Sequence, residues 1–379
     1  MSKQKVLLLY PYYWPNYKAG GPIQSLYNIV GLFKADVDFY LFSLDHDIDG
    51  SKSEEVLPLE VWCKGPQNEN IYFAEELSVF KVFKLIQNLK PDVILINGMF
   101  NLKTTIPGLI YSKLFKSKII ISPRGMLQEW ALQRNSKKKK IFLTLLKFYL
   151  KKNEIWHATD LQEEEDIHKI FGNKQRVFFA SNIPRQVGQL KSIDFNSTRD
   201  SIKLVFLSLI NPNKNLHLII EAISKSSSRF TLDVYGPIIE KEYWKRCLAM
   251  DFNKDQIQYK GPVLPWNVPS VLMNYHFFVL PTQGENFGHA IFDSLSAGVP
   301  VVISRKTPWK NIDTANAGFY IEIDDHTSLS NVLTEISQLT PDEYYVYKSG
   351  SIEYARNYWK QSSYHQDYRF LLSAATEPV

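Results

Sequence analysis

The sequence predicts an α/β protein built from two doubly wound parallel-sheet halves. Three observations predict it. Short β-branched and apolar runs alternate with helix-period segments along most of the 379 residues, the order that a parallel sheet with crossover helices requires. A polar stretch at 185–201, containing Gly, Ser, Asn and Thr but few large apolar side chains, separates one such series from the next. The composition, 45% hydrophobic and 14% aromatic, can fill two cores in a chain of this length.

In the first half, apolar runs place strands at 6–10, 37–43, 93–96, 119–122, 155–158 and 177–180, and helical periodicity places helices at 23–33, 77–89, 105–113, 138–152 and 161–171. The second half opens on Ile202 and the run KLVFLSL, followed by a helix at 216–224 and a strand at 232–236. Further strands are expected near Ile257, Tyr275 and Val299, with a late one at 318–321. A last segment, 354–373, carries Tyr, Trp, Phe and Leu at helical intervals. The expected domains are therefore 1–185 and 202–360, joined by a linker at 186–201 and followed by a terminal helix at 361–379.

Several function classes are disfavoured by composition. Cys63 and Cys247 are the only cysteines, so no disulfide framework is implied and a reducing, cytoplasmic location is the simplest expectation. The apolar run near the N-terminus is short, lacks a small-residue cleavage site, and reads as a buried strand. No stretch approaches the ~18 to 20 apolar residues needed to cross a bilayer. Charge is unevenly placed: residues 1–200 hold 28 of the 44 Lys and Arg but 21 of the 39 Asp and Glu. Much of the excess lies in KKKKIFLTLLKFYLKK, where Lys137, Lys138, Lys139, Lys140, Lys147 and Lys151 surround Phe142 and other apolar residues with no acid. That pattern fits a helix lying on an anionic membrane surface, and equally a core helix with solvated lysines. Nucleic-acid binding is a poorer reading, because no recognised module accompanies the charge.

The most informative segment is PTQGENFGHAIFDSLSAGVP at 281–300. It leaves one buried run, YHFFVL, and enters another, VPVVIS, so its loop and helix start belong at the carboxyl edge of a sheet, where ligands bind. Glu285 precedes the helix, and the backbone N–H groups of Asn286, Phe287, Gly288 and His289 suit a phosphate. Gly288 permits close backbone approach, and Asp293, roughly two turns on, would reach other atoms of the same elongated ligand. One carboxylate for sugar hydroxyls and one for a ribose diol would suit a nucleotide sugar. Read alone, the pair is also what an ordinary cap and a solvated helix residue look like.

In context, PTQGENFGHAIFDSLSAGVPVVIS resembles the donor-site signature of retaining glycosyltransferases of family 4, the glycogen-synthase-like group 1 enzymes of GT-B fold. Their pattern is Glu, seven residues, Glu; here Glu285 matches the first position and Asp293 stands at the second. The resemblance extends to YPYYWPNYKAGGPIQSL, SPRGMLQEWAL, FLSLINPNKNLHLIIEAI and the Thr307, Pro308, Trp309 triplet, and so spans nearly the whole chain. It implies two Rossmann-like domains facing a central cleft, with the terminal helix returning to the first domain and a hinge that lets the cleft close against water.

The resemblance also implies roles. Lys214, in NPNKNL, matches the lysine that pairs with the donor diphosphate; the family usually has Arg five residues earlier, where this chain has Leu209. Arg124, in SPRGM, lies where relatives often carry a histidine, and either supplies charge to the donor or orders its loop. Gly20 and Gly21, before the helix at 23–33, would bring backbone N–H groups to the cleft, while Thr307 and Trp309 either shape the pocket or pack a corner. Asp36 and Asp38, like Asp45, Asp47 and Asp49, formally spell D-x-D, but they flank a buried strand outside any GT-A context. The eight histidines show no zinc spacing. No metal and no cofactor beyond the nucleotide-sugar donor is expected.

The expected reaction is transfer of a hexose or N-acetylhexosamine from a nucleotide diphosphate, UDP favoured over GDP, to a saccharide hydroxyl with retention. Glu285 would hold the donor sugar, Asp293 the ribose, and Lys214 with Arg124 and loop amides the leaving diphosphate. A polyprenyl-diphosphate-linked acceptor in bacterial O-antigen or capsule synthesis, met at the inner membrane face, fits the basic helix. The alternatives are a UDP-N-acetylhexosamine 2-epimerase of the same fold and a non-catalytic membrane-surface binding protein.

Overall fold

A computed structural model describes residues 3–53, 55–115, 117–133, 136–150, 154–186, 201–226 and 230–374. The chain divides into two compact units, Met1–Ile183 with Ser363–Val379, and Pro184–Ser362. Most of the stretch expected as a linker, and Lys151, lie outside the described residues.

The first unit runs β1 (Gln4–Leu9), α1 (Gly21–Phe33), β2 (Val37–Leu44), β3 (Trp62–Lys64), β4 (Asn70–Ala74), α2 (Val79–Leu89), β5 (Val93–Asn97), α3 (Leu102–Phe115), β6 (Lys118–Ser122), α4 (Glu129–Gln133), α5 (Ser136–Tyr149), β7 (Ile155–Ala158), α6 (Leu161–Phe171) and β8 (Arg176–Phe179). Its eight strands lie in the order β3-β4-β2-β1-β5-β6-β7-β8, all parallel except β3, which runs antiparallel to β4. Central β5, VILIN, is buried at every position, as expected of a parallel strand covered on both faces. The edge pair β3 and β4 was not expected from sequence: three residues of WCK carry no periodicity of their own, and the strand forms because β4 supplies its partner.

Helix starts follow local chemistry. Ser78 accepts from the Lys81 amide at 3.1 Å ahead of α2, and Asp160 accepts from the Glu163 amide at 2.7 Å ahead of α6, each satisfying a first-turn donor. Inner faces of α2, α3, α5 and α6 share one apolar cluster with the strands, including Val82, Ile86, Leu109, Leu143, Leu146 and Ile167. The lysine-rich segment thus has a core-facing stripe, while Ile141, Leu145 and Phe148 on the same helix remain exposed.

The second unit runs β9 (Ile202–Leu207), α7 (Leu216–Lys225), β10 (Phe230–Tyr235), α8 (Lys241–Leu248), β11 (Ile257–Gly261), α9 (Val268–Leu272), β12 (Phe277–Leu280), α10 (His289–Ser296), β13 (Val301–Ser304), β14 (Gly318–Ile321), α11 (Ser328–Gln338) and α12 (Pro341–Gln361). Its sheet is wholly parallel in the order β11-β10-β9-β12-β13-β14. From β9 the chain builds outward one way through β10 and β11, then restarts at β12 and builds the other way. Strand order therefore reverses between β9 and β12, and the loops that leave these two strands diverge above a switch point.

The terminal segment is two helices rather than one. A capping box of Thr340 and Glu343 starts α12, and α12 ends at Gln361. A Ser-Ser step follows, then α13 (Tyr364–Ala374). The second helix belongs to the first unit: His365 stacks on Phe33 with ring centroids 4.9 Å apart, Phe370 meets Phe178 at 5.5 Å, and Arg369 reaches Asp36 at 3.3 Å.

Candidate functional site

The site is built by the two loops at the switch point of the second unit. After β9 a short 3-10 turn, Pro212–Lys214, is closed by Asn215 in a left-handed conformation with φ 50°. After β12 comes the loop 281–288, and the two are laced together by hydrogen bonds. The Gln283 amide donates to Asn213 O at 2.8 Å, Asn215 Nδ2 donates to Pro281 O at 2.8 Å, and Ser304 Oγ donates to Thr282 O at 2.6 Å. Thr282 Oγ1 donates in turn to Gly284 O at 2.9 Å.

This lacing brings Lys214 and Glu285 together. Lys214 Nζ donates to Glu285 Oε1 in a close ion pair and lies 3.5 Å from Thr282 Oγ1. The side chains are only 10% and 15% exposed, so water screens the pair weakly. One ammonium and one carboxylate, each with spare hydrogen-bonding capacity, suit a ligand that offers both an anion and hydroxyl groups.

Gly288 sits at φ 79° and closes the loop where α10 begins. The left-handed backbone there favours glycine, and an added Cβ would also push aside the end of the Ile291 side chain, 2.8 Å away. Phe287 turns inward, and its carbonyl accepts from Trp309 Nε1 at 2.5 Å. Trp309 packs on Phe287, Phe292 and Tyr358, while Thr307 Oγ1 donates to Ser304 O. Trp309 therefore braces the loop from behind, while Thr307 packs the corner after β13. Asn286 and His289 occupy the loop and the first position of α10.

Asp293 is buried on α10, and its carboxylate lies 3.8 Å from Arg185 Nε. Burial raises its pKa to about 6, and the Arg185 charge opposes that rise. Arg185 was not singled out from sequence: an arginine beside a polar stretch reads as solvated, and only the fold places it against α10. Thr282 and Asn215 were missed for the same reason.

Gly20, Gly21 and Arg124 belong to the first unit. Gly20, at φ 78°, caps α1. The loop before it is held by Asp47, whose Oδ2 accepts from the amides of Tyr17 and Lys18 at 2.8 Å each, while Lys18 Nζ donates to Asp49 at 2.7 Å. Both carboxylates of that D-x-D therefore fasten a loop. Arg124 adopts φ 55°, donates from Nε to Asn97 Oδ1 at 2.6 Å and from Nη1 to Asn182 Oδ1. Its guanidinium ties the end of β5 to the segment after β8, while Nη2 is buried without a hydrogen-bond partner among the described residues, so both readings stay open for it. Nearby His157 is fully buried; its pKa falls to about 3, through burial and then the Arg124 charge. The neutral ring spans Ser122 Oγ at 3.0 Å and Ala180 O at 2.8 Å.

With this geometry in place, residues 189–350 match the family described as glycosyl transferases group 1. The matched residues span most of the second unit. Solved structures similar to this chain extend the likeness to the first unit. The Anabaena HepE structure in complex with UDP-glucose superposes with a TM-score of 0.74 at 14% identity, covering 98% of this chain and 99% of its own. Sucrose-phosphate synthase from Thermosynechococcus elongatus gives 0.74 at 14% identity, covering 98% and 100%. TarM from S. aureus, in complex with UDP among other ligands, gives 0.70 at 10% identity over 99% and 100%. The fold is thus the two-domain parallel-sheet GT-B fold. No curated protein matches this chain.

Proposed function

We propose that this transferase moves a hexose or N-acetylhexosamine from a UDP-linked donor to a saccharide hydroxyl, with retention of configuration and without a metal ion. The observation that carries the reading is the shielded Lys214 and Glu285 pair at the switch point. In the proposed complex the diphosphate takes the Lys214 ammonium and the sugar hydroxyls donate to Glu285, so the ion pair is a resting state that the donor opens. Asp293 accepts from the ribose. Negative charge grows on the diphosphate as the anomeric bond breaks, so a fixed cation and loop N–H donors stabilise the transition state more than the bound donor. The departing phosphate oxygen takes the acceptor proton. UDP is favoured as carrier because HepE and TarM, of the same fold, have been solved with it.

The acceptor in this reading is lipid-linked and the protein works peripherally at the inner face of the cytoplasmic membrane, in surface polysaccharide synthesis. Support comes from α5, which presents Lys137, Lys138, Lys140 and Lys147 with exposed Ile141, Leu145 and Phe148. Among the described residues no helix is long and apolar enough to span a membrane.

Thermal unfolding with UDP, GDP and CDP tests the donor. A nucleotide at about 100 times its Kd stabilises the folded state by about 2.7 kcal/mol, a shift of several degrees. UDP is expected to give that shift; stabilisation by GDP alone, or by none of the three, rules the UDP assignment out.

A further inference from the structure

Three neighbouring helices of the first unit carry no acid at all. α2 reads VFKVFKLIQNL, α3 LKTTIPGLIYSKLF and α5 SKKKKIFLTLLKFY: nine lysines in 39 residues, where a chain with 39 acids in 379 would place about four acids. They form one layer. Their inner faces share a single core cluster, Phe83 of α2 packs on Tyr111 and Phe115 of α3, and Tyr149 of α5 donates to Leu109 O of α3 with Lys113 over its ring at 4.2 Å. The next helix, α6, restores acid with Glu164 and Glu165, which bounds the face.

The outer side of the layer is studded with apolar groups. Phe80 on α2 is 76% exposed, Leu114 on α3 64%, and Phe148 on α5 84%, with Phe115, Ile141 and Leu145 also exposed. Lys84, Lys103, Lys113, Lys137, Lys138, Lys140 and Lys147 stand among them as exposed cations. A solvated face mixes both signs of charge and spares large apolar side chains; here an acid meets the face at the start of α2, where Glu60 pairs with Lys81, and the lysines beyond it stand among exposed apolar side chains.

We propose that α2, α3 and α5 together form one bilayer-docking face, which seats Phe80, Leu114 and Phe148 in the interface of an anionic leaflet while the lysines contact its headgroups. This rests on the lipid-linked acceptor reading and widens it from one helix to three. A second copy is the wrong occupant, since pairing two such faces sets lysines against lysines. Nucleic acid has no use for exposed Leu114, Ile141 and Leu145, which cannot stack on bases. An anionic membrane matches both features, and each lysine at such a surface contributes about fivefold in affinity, lost with salt.

The test is flotation of the whole chain with vesicles of phosphatidylcholine alone or with about one-third phosphatidylglycerol. Binding to the anionic vesicles only, weakened by salt, is expected. Phe148→Ser lowers partitioning about tenfold, the loss expected for one buried aromatic side chain, and separately Phe80→Ser with Leu114→Ser, which removes two, lowers it about a hundredfold. The proposal is overturned if the chain ignores anionic vesicles, if the α2 and α3 double variant floats like the parent, or if light scattering shows a dimer that Phe148→Ser dissociates. The UDP melting shift, measured on the same samples, separates the two readings. Its retention without flotation strikes the docking face alone, and its loss with flotation intact strikes the donor assignment and leaves the face standing.

Discussion

Lys214 and Asp293 are charged residues of the same unit in opposite circumstances. Lys214 has a close carboxylate partner in Glu285, so in the proposed complex the diphosphate need only exchange one anion for another. Lys214→Ala is expected to lower turnover by about 100-fold, the cost of losing one preorganised donor to the leaving group, and to lower the melting temperature as well, because the shielded Glu285 carboxylate loses its partner; steady-state kinetics on the matched donor checks the first and melting curves the second. Asp293 is buried with its nearest cation 3.8 Å away, and burial lifts its pKa to about 6. Because the folded-state value is raised, stability is highest below the ordinary carboxylate pKa of about 4, falls as pH rises to about 6 and is level above that. Asp293→Asn should flatten this slope and recover up to about 3 kcal/mol at pH 7, while weakening UDP binding. Melting curves from pH 4 to 8 decide it: an unchanged slope would remove the assignment of the titration to this carboxylate.

The loop at 281–288 shows how an element is held for function. Its backbone is pinned by Asn213, Asn215, Ser304 and Trp309, and its turn into α10 needs the left-handed Gly288. Gly288→Ala is expected to cost about 1 kcal/mol or more and to weaken the UDP melting shift, since Glu285 moves with the loop; a variant with parental stability and parental UDP response would show that the strain is absorbed elsewhere. The loop's place between two strands was legible, because YHFFVL and VVIS are unbroken apolar runs with a glycine-bearing turn between them. The partners that pin it were not: Lys214 and Glu285 are 71 residues apart, and no local pattern carries that distance. The edge strand β3 was missed because pairing, rather than composition, makes it a strand.

At the scale of the molecule, the chain passes from the first unit to the second at Ile183 and back at Ser363. The returning α13 buries Tyr368, Leu371 and Leu372 in the first unit. Ending the chain after Ser362 removes these three side chains, a loss on the order of 5 kcal/mol at about 1.5 to 3 kcal/mol each. Unfolding of the first unit should then come at lower temperature while the second keeps its UDP response; a single transition at the parental temperature would contradict this division of the packing. By itself the sequence determined the α/β class and the alternation of strands and helices, because hydrophobic periodicity and turn residues act over a few neighbours. It also marked the loop at 281–288, whose glycine and carboxylate lie in one short segment. Only tertiary structure decided strand order, the switch point between β9 and β12, the pairing of Lys214 with Glu285 and Arg185 with Asp293, and the acid-free face of three helices. Those features join residues far apart in the chain, and contacts of that kind exist only once packing has chosen which surfaces meet.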